Sequence, residues 1–247
     1  MDRRNFLKIA GVGGAVIAIS PSTISGQLRA DNGLLFQAYE KVQLVDKDGA
    51  PLKATALLQE TNYVFNYPFV GTPSILLDLG EETAKDVKLT SADGEEYVWK
   101  GGVGAKRTIV AYSAICSHQL AHPTPDDSFL QYLPRSGMPG TGEPSACGVK
   151  GAMICSSHLS AFDTKQGCKQ IAGPAEEALA AIIIEVAEDD TLWASAVLGP
   201  DKFHDYFKRY KPEMKKYYGG KRKAKKTVKG SAETLVLSEY TKEIIQY

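Results

Sequence analysis

Two short segments hold most of the reactive side chains. Residues 114–124 read AICSHQLAHPT and residues 153–163 read MICSSHLSAFD, so each joins a cysteine to a histidine: Cys116 with His118, and Cys155 with His158. Thiolate and imidazole are both good ligands for transition metals. Paired-ligand zinc motifs usually put two cysteines on one knuckle and two histidines on the other. For a single tetrahedral zinc, one of each per knuckle offers no advantage. For two irons bridged by sulfides it does, because each loop gives its cysteine to one iron and its histidine to the other. Two neutral imidazoles in place of thiolates also lower the negative charge and raise the reduction potential. A zinc-stabilised binding module is the competing reading.

The segments around the knuckles read as short strands. Residues 39–45 (YEKVQLV) alternate and run into Asp48-Gly49; residues 62–70 are aromatic and β-branched, with Pro68 marking an edge or bulge. Residues 74–79, 96–100 and 107–113 continue the series, and 180–186 with 192–198 flank Asp189-Asp190 as a closing hairpin. Residues 176–181 have the composition of a single helical turn, and no long segment has helical periodicity. Many short strands separated by turns predict an all-β fold, an antiparallel β-sandwich or small barrel. Both knuckles sit at strand exits. Between them, residues 119–151 contain Pro123, Pro125, Pro134, Pro139 and Pro144, a long irregular insertion of the kind that usually serves function.

At 247 residues, 43% hydrophobic and 23% charged, the chain suits one globular domain with additions. Its net charge of zero hides an asymmetry. Residues 201–247 hold 13 Lys and Arg against 6 Asp and Glu, a surplus of +7 that the acidic remainder cancels. The densest run, 208–226, reads as a solvated charged stretch or as a docking surface for an acidic partner or anionic headgroups. At the other end, MDRRNFLK precedes a weakly apolar run of 11 residues, Ile9 to Ile19. A membrane span needs roughly 20 apolar residues, so residues 1–30 read as a twin-arginine signal or retained N-terminal anchor. That route carries folded proteins with their cofactor already inserted. It predicts a location in the periplasm or on the periplasmic face of the membrane, where disulfides persist, and leaves no role for nucleic acid.

With these residues in view, the chain resembles the Rieske iron–sulfur proteins over roughly residues 36–200, most sharply at 107–120 and 152–176. The resemblance implies a [2Fe-2S] cluster in a cluster-binding part at about 107–176, with Cys116 and Cys155 on the buried iron and His118 and His158 on the outer one. It further implies that Gly173 and Pro174 belong to a proline loop over the cluster, and that the Ser160 hydroxyl donates to a bridging sulfide. Two features depart from the quinol-oxidising members. Their inter-loop disulfide is missing, since Ala121 and Ser157 occupy its positions, and a disulfide between Cys147 and Cys168 is expected as a substitute. Phe162 stands where high-potential members have a tyrosine that donates to a ligand sulfur.

The sequence IVAYSAIC, HLSAFD and KQIAGPA also looks like the small subunit of arsenite oxidase, an exported protein that takes electrons from a molybdenum subunit. The function implied is electron transfer within an oxidoreductase complex rather than catalysis by this chain alone. The expected partners are a molybdenum-type dehydrogenase or a cytochrome b, with a cytochrome as acceptor. The alternative is the Rieske subunit of a cytochrome bc-type quinol oxidoreductase. A Rieske oxygenase would need a second iron on two histidines and a carboxylate. Only His122, in the insertion, and His204, in the basic tail, remain for that, so this class is set aside.

Overall fold

The computed structural model describes residues 28–29, 35–135 and 149–246. Nearly all of the expected signal at 1–30, the part of the insertion at 136–148, and Cys147 lie outside the described residues.

In chain order, β1 (Leu28–Arg29) pairs with β2 (Leu35–Val45), and β3 (Tyr63–Asn66) and β4 (Pro73–Asp78) form an antiparallel pair. β5 (Val87–Thr90) and β6 (Glu96–Trp99) make a separate hairpin, and β7 (Ile109–Ser113) pairs with β4 before running into the first knuckle. β8 (Asp127–Ser128) and β9 (Leu130–Leu133) come from the insertion. With β10 (Ala152–Cys155), β11 (Ser160–Asp163) and β12 (Lys169–Ala172), β9 forms a four-stranded antiparallel sheet in the order β12-β11-β10-β9. The chain returns to the first sheet through the hairpin β13 (Ala181–Val186) and β14 (Leu192–Leu198). Residues 176–181, expected to make a helical turn, stay irregular up to Ala181, which begins β13.

The basic tail at 201–247 packs into this body. After α1 (Phe203–Arg209), α2 (Lys211–Tyr218) and α3 (Lys221–Ala224), β15 (Ser231–Val236) enters between β2 and β3. It runs parallel to β2 through Ser231↔Gln43 and antiparallel to β3 through Thr234↔Phe65. The sheet β2-β14-β13-β7-β4-β3-β15 thereby closes on itself as a seven-stranded barrel. Closure removes the exposed edges that β2 and β3 would otherwise present. Beyond it, α4 (Leu237–Tyr240) leads to β16 (Glu243–Ile244), which pairs with β8 of the insertion.

β4 is buried at five of its six positions because its two faces look into two different cores. Leu76 joins Val42, Phe65 and Ile182 on one side. Ile75 and Leu77 join Tyr112, Met153 and Phe162 on the other, where the barrel meets the four-stranded sheet. Strand alternation of period two makes this sorting possible. The tail helices complete the first core with Phe203, Tyr206, Phe207 and Met214. They are fastened to the insertion at Asp126, which pairs with Lys216 and Lys242 and accepts from the Tyr217 hydroxyl at 2.7 Å. Hydrogen bonds from those two lysines hold the Asp126 carboxyl well below the usual carboxylate range. Among the described residues no helix is long and apolar enough to cross a membrane.

Candidate metal centre

β7 leads into Cys116, and β10 ends at Cys155. Each cysteine opens a tight loop of the same design. Leu120 and Leu159, each four residues after its cysteine, have left-handed φ of 65° and 59°. In the first loop, the Leu120 amide donates to the Cys116 carbonyl and the Cys116 amide to the Ala121 carbonyl, both at 2.9 Å. The second loop is pinned from outside, with the Ser156 amide on the Phe129 carbonyl at 2.7 Å. A non-glycine residue in this conformation costs roughly 1–2 kcal/mol, so both loops hold their turn against local preference.

The four side chains meet as two pairs. Cys116 and Cys155 are each 1% exposed and lie beside one another in the same core cluster. Their contact holds the Cys116 thiol below its ordinary range, helped by amides of His118 and Gln119 aimed at the sulfur, and pushes Cys155 up. Cys155 receives the corresponding amides, those of Ser157 and His158. Each sulfur therefore faces the N–H groups two and three residues on, an environment that favours a thiolate. The imidazoles of His118 and His158 lie edge to face with centroids 4.9 Å apart. His158 is exposed and His118 half-buried. Among the described residues, no three His, Cys, Asp or Glu side chains converge as ligands of one metal ion. Two thiols lie together and two imidazoles lie together, the thiols deeper, a split that suits two bridged irons.

Two buried polar atoms here have no partner: His118 Nδ1 and Ser160 Oγ. Buried polar atoms are nearly always satisfied, so an orphaned imidazole nitrogen and an orphaned hydroxyl beside paired thiols fit a group held between the loops. His158 Nδ1 lies 3.1 Å from the Ser157 hydroxyl. Phe162, wholly buried, pairs with Met153 across β10 and β11.

The Gly-Pro loop covers the second knuckle. Gly173 has φ +80°, and a Cβ there would lie 2.4 Å from the Leu159 carbonyl oxygen and 2.6 Å from the Ser160 Cα. Pro174 beside it is exposed. The far end of the loop is tied to the first knuckle by the Ser117 hydroxyl, which donates to the Glu177 carbonyl at 2.8 Å. The Glu177 carboxylate accepts from the Ala92 amide at 2.9 Å and pairs with Lys202.

No family model matches the chain. It is 27% identical over 205 residues to the iodate reductase subunit IdrB of Pseudomonas sp. (strain SCT), across 81% of this chain and 80% of that one. It is 28% identical over 203 residues to the iodate reductase subunit IdrB of Denitromonas iodatirespirans, across 81% and 82%. The solved soluble domain of the Rieske protein II from Sulfolobus acidocaldarius is 20% identical with a TM-score of 0.41, covering 63% of this chain and 77% of that one. The chain is thus similar to two reductase subunits over about four-fifths of its length.

One group at the candidate centre has no counterpart among the residues singled out from sequence. His122 was noted only as a histidine of the insertion, yet it is 5% exposed and bonded at both nitrogens. Its Nδ1 contacts the Leu120 carbonyl at 2.7 Å and its Nε2 the Glu213 carboxylate at 2.9 Å. Tyr206 and Tyr210 each contact the ring edge-to-face at 4.7 Å. Tail helices α1 and α2 thus hold the first knuckle through His122. His122→Ala is expected to cost about 2–4 kcal/mol, as for other breaks in a buried polar network, with a lower Tm and faster bleaching of the loaded protein by a chelator. Cys168, the expected half-cystine, is a free and wholly buried thiol whose burial raises its pKa. Its proposed partner Cys147 lies outside the described residues.

Ser160 and Phe162 carry opposite predictions. A hydrogen bond to a charged acceptor is worth about 1.5–3 kcal/mol, and about 1.4 kcal/mol corresponds to roughly 59 mV for one electron. Ser160→Ala is expected to lower the reduction potential by roughly 60–130 mV, and Phe162→Tyr to raise it by a similar amount. A redox titration in which neither variant moves would remove the roles given to these two positions.

Proposed function

We propose that this chain carries a Rieske [2Fe-2S] cluster and serves as the electron-transfer subunit of an exported oxidoreductase. Cys116 and Cys155 would hold the inner iron, and His118 and His158 the outer one. The observation that carries this reading is the pairing of thiols with thiols and imidazoles with imidazoles, next to an orphaned His118 Nδ1. When bound, such a cluster supplies reversible one-electron chemistry at a potential raised by its imidazole ligands.

The protein's own part is to hold and to expose. Four backbone amides stabilise the two thiolates, the barrel and the four-stranded sheet keep water from them, and the exposed His158 edge meets a partner. The remaining pathway follows from the resemblance and the relatives' names. The partner is a molybdenum-type catalytic subunit, and a cytochrome stands at the other end of the relay. The relatives are named as reductase subunits, which favours electron flow toward the catalytic subunit over flow away from it. Twin-arginine export and a periplasmic or membrane-face location complete the proposal. The buried Phe162, which lacks a hydroxyl, favours this relay over quinol oxidation.

The test is the reduced protein's EPR spectrum together with metal and sulfide analysis. A rhombic signal from a reddish-brown protein containing iron and acid-labile sulfide is expected. A colourless protein containing zinc would end the reading.

A further inference from the structure

We propose that the basic outer face of α1 and α2 is the docking surface for an acidic redox protein, seated beside the first knuckle. This rests on the electron-transfer reading above and identifies the surface and charge of the partner. The two helices turn their apolar residues Phe203, Tyr206, Phe207 and Met214 into the barrel core. What remains outside is basic: Lys208, Arg209, Lys211 and Lys215 are all exposed. Lys216 is taken up by Asp126, but among the described residues no ion pair joins those four to a carboxylate. Of the two acidic residues on these helices, Glu213 turns inward to His122 and only Asp205 stays on the outer face.

The location connects this charge to the centre. Tyr210 sits at the α1–α2 junction between Arg209 and Lys211, and its hydroxyl donates to the carbonyl of Gln119, the residue after His118, at 3.4 Å. Unpaired charge this close to an electron exit steers an oppositely charged partner and orients it on arrival. The remainder of the chain carries a net −7, so an acidic partner is drawn to this face and repelled elsewhere. A solvated charge run with no partner would have no reason to gather against the knuckle.

The loaded full-length protein is compared with the charge-reversed variant Lys208→Glu/Arg209→Glu/Lys211→Glu and with a control, Lys47→Glu/Lys106→Glu, which changes exposed lysines elsewhere. In the first measurement, the reduced protein gives one electron to ferricyanide, an anion, or to tris(phenanthroline)cobalt(III), a cation. At low salt the triple variant is expected to slow ferricyanide several-fold and speed the cobalt complex, with its reduction potential unchanged and the control near wild type. Equal responses from variant and control would overturn the placement beside the exit.

In the second, calorimetry with poly-L-glutamate measures binding without reference to electron transfer. Binding at low salt is expected, weakened at least about tenfold in the triple variant and by salt that shortens the screening length below ~10 Å. No binding, or binding insensitive to the variant, overturns the docking surface. Tighter, variant-sensitive binding to phosphatidylglycerol vesicles than to poly-L-glutamate overturns it in favour of a membrane. Because calorimetry needs no cluster, a failed EPR test with intact polyglutamate binding would sink the electron-transfer reading alone.

Discussion

Cys155→Ser is expected to abolish iron and sulfide incorporation and with it the reduced EPR signal. The effect should be all or none, because the residue does two things at once. Its sulfur is one of the two buried, neighbouring free thiols, and its backbone pairs with both Leu130 and Ser160 at the centre of the four-stranded sheet. Serine preserves the pairing and the size and removes the soft anionic ligand. The folded barrel should therefore survive while the cofactor is lost, and circular dichroism separates the two. A Cys155→Ser protein that kept a normal rhombic spectrum would show that the metal lies elsewhere.

Gly173→Ala is the second large effect. A Cβ at 2.4 Å from a backbone oxygen and 2.6 Å from a backbone Cα cannot be accommodated by a side-chain rotation, since both neighbours are main chain. The positive φ adds its own penalty, of about 1–3 kcal/mol for a residue in a sparsely populated region. The expected result is a proline loop lifted from the second knuckle and a cluster open to water. The measurement is the rate at which a chelator bleaches the loaded protein, expected to rise at least tenfold, with the barrel's far-UV spectrum unchanged. Bleaching at the wild-type rate would mean that the loop does not protect the centre.

What could be read in the sequence and what could not divide along physical lines. The four knuckle residues were legible because their chemistry is carried by side-chain type at short spacing. The β13–β14 hairpin was legible because its apolar runs flank a turn pair, and the structure places both strands where those runs lie. In the tail, lysines dominate the composition and mask the pattern of its apolar residues. The helical signal was nonetheless present, since Phe203, Tyr206, Phe207, Tyr210 and Met214 fall three or four apart in most steps and line one face. The grip of Glu213 on His122 spans 91 positions. Nothing local announces it, as a buried histidine and a lone glutamate each look ordinary in their own surroundings. The closing strand is only half visible: residues 233–237 (ETLVL) are apolar enough for a strand, and which sheet they join depends on edges at β2 and β3 that exist only in the folded barrel.

The position of β15 has a consequence for how the protein is made. Its partners β2 and β3 emerge from the ribosome early, whereas residues 231–236 follow every other strand of the barrel. The barrel therefore cannot close during synthesis, and the first knuckle cannot acquire its Glu213 support until the same late stage. A nascent or prematurely terminated chain keeps two sticky strand edges and an unsupported metal loop. Synthesis of β15 is thus a checkpoint built into the topology: only a chain that has reached it can bury the edges of β2 and β3.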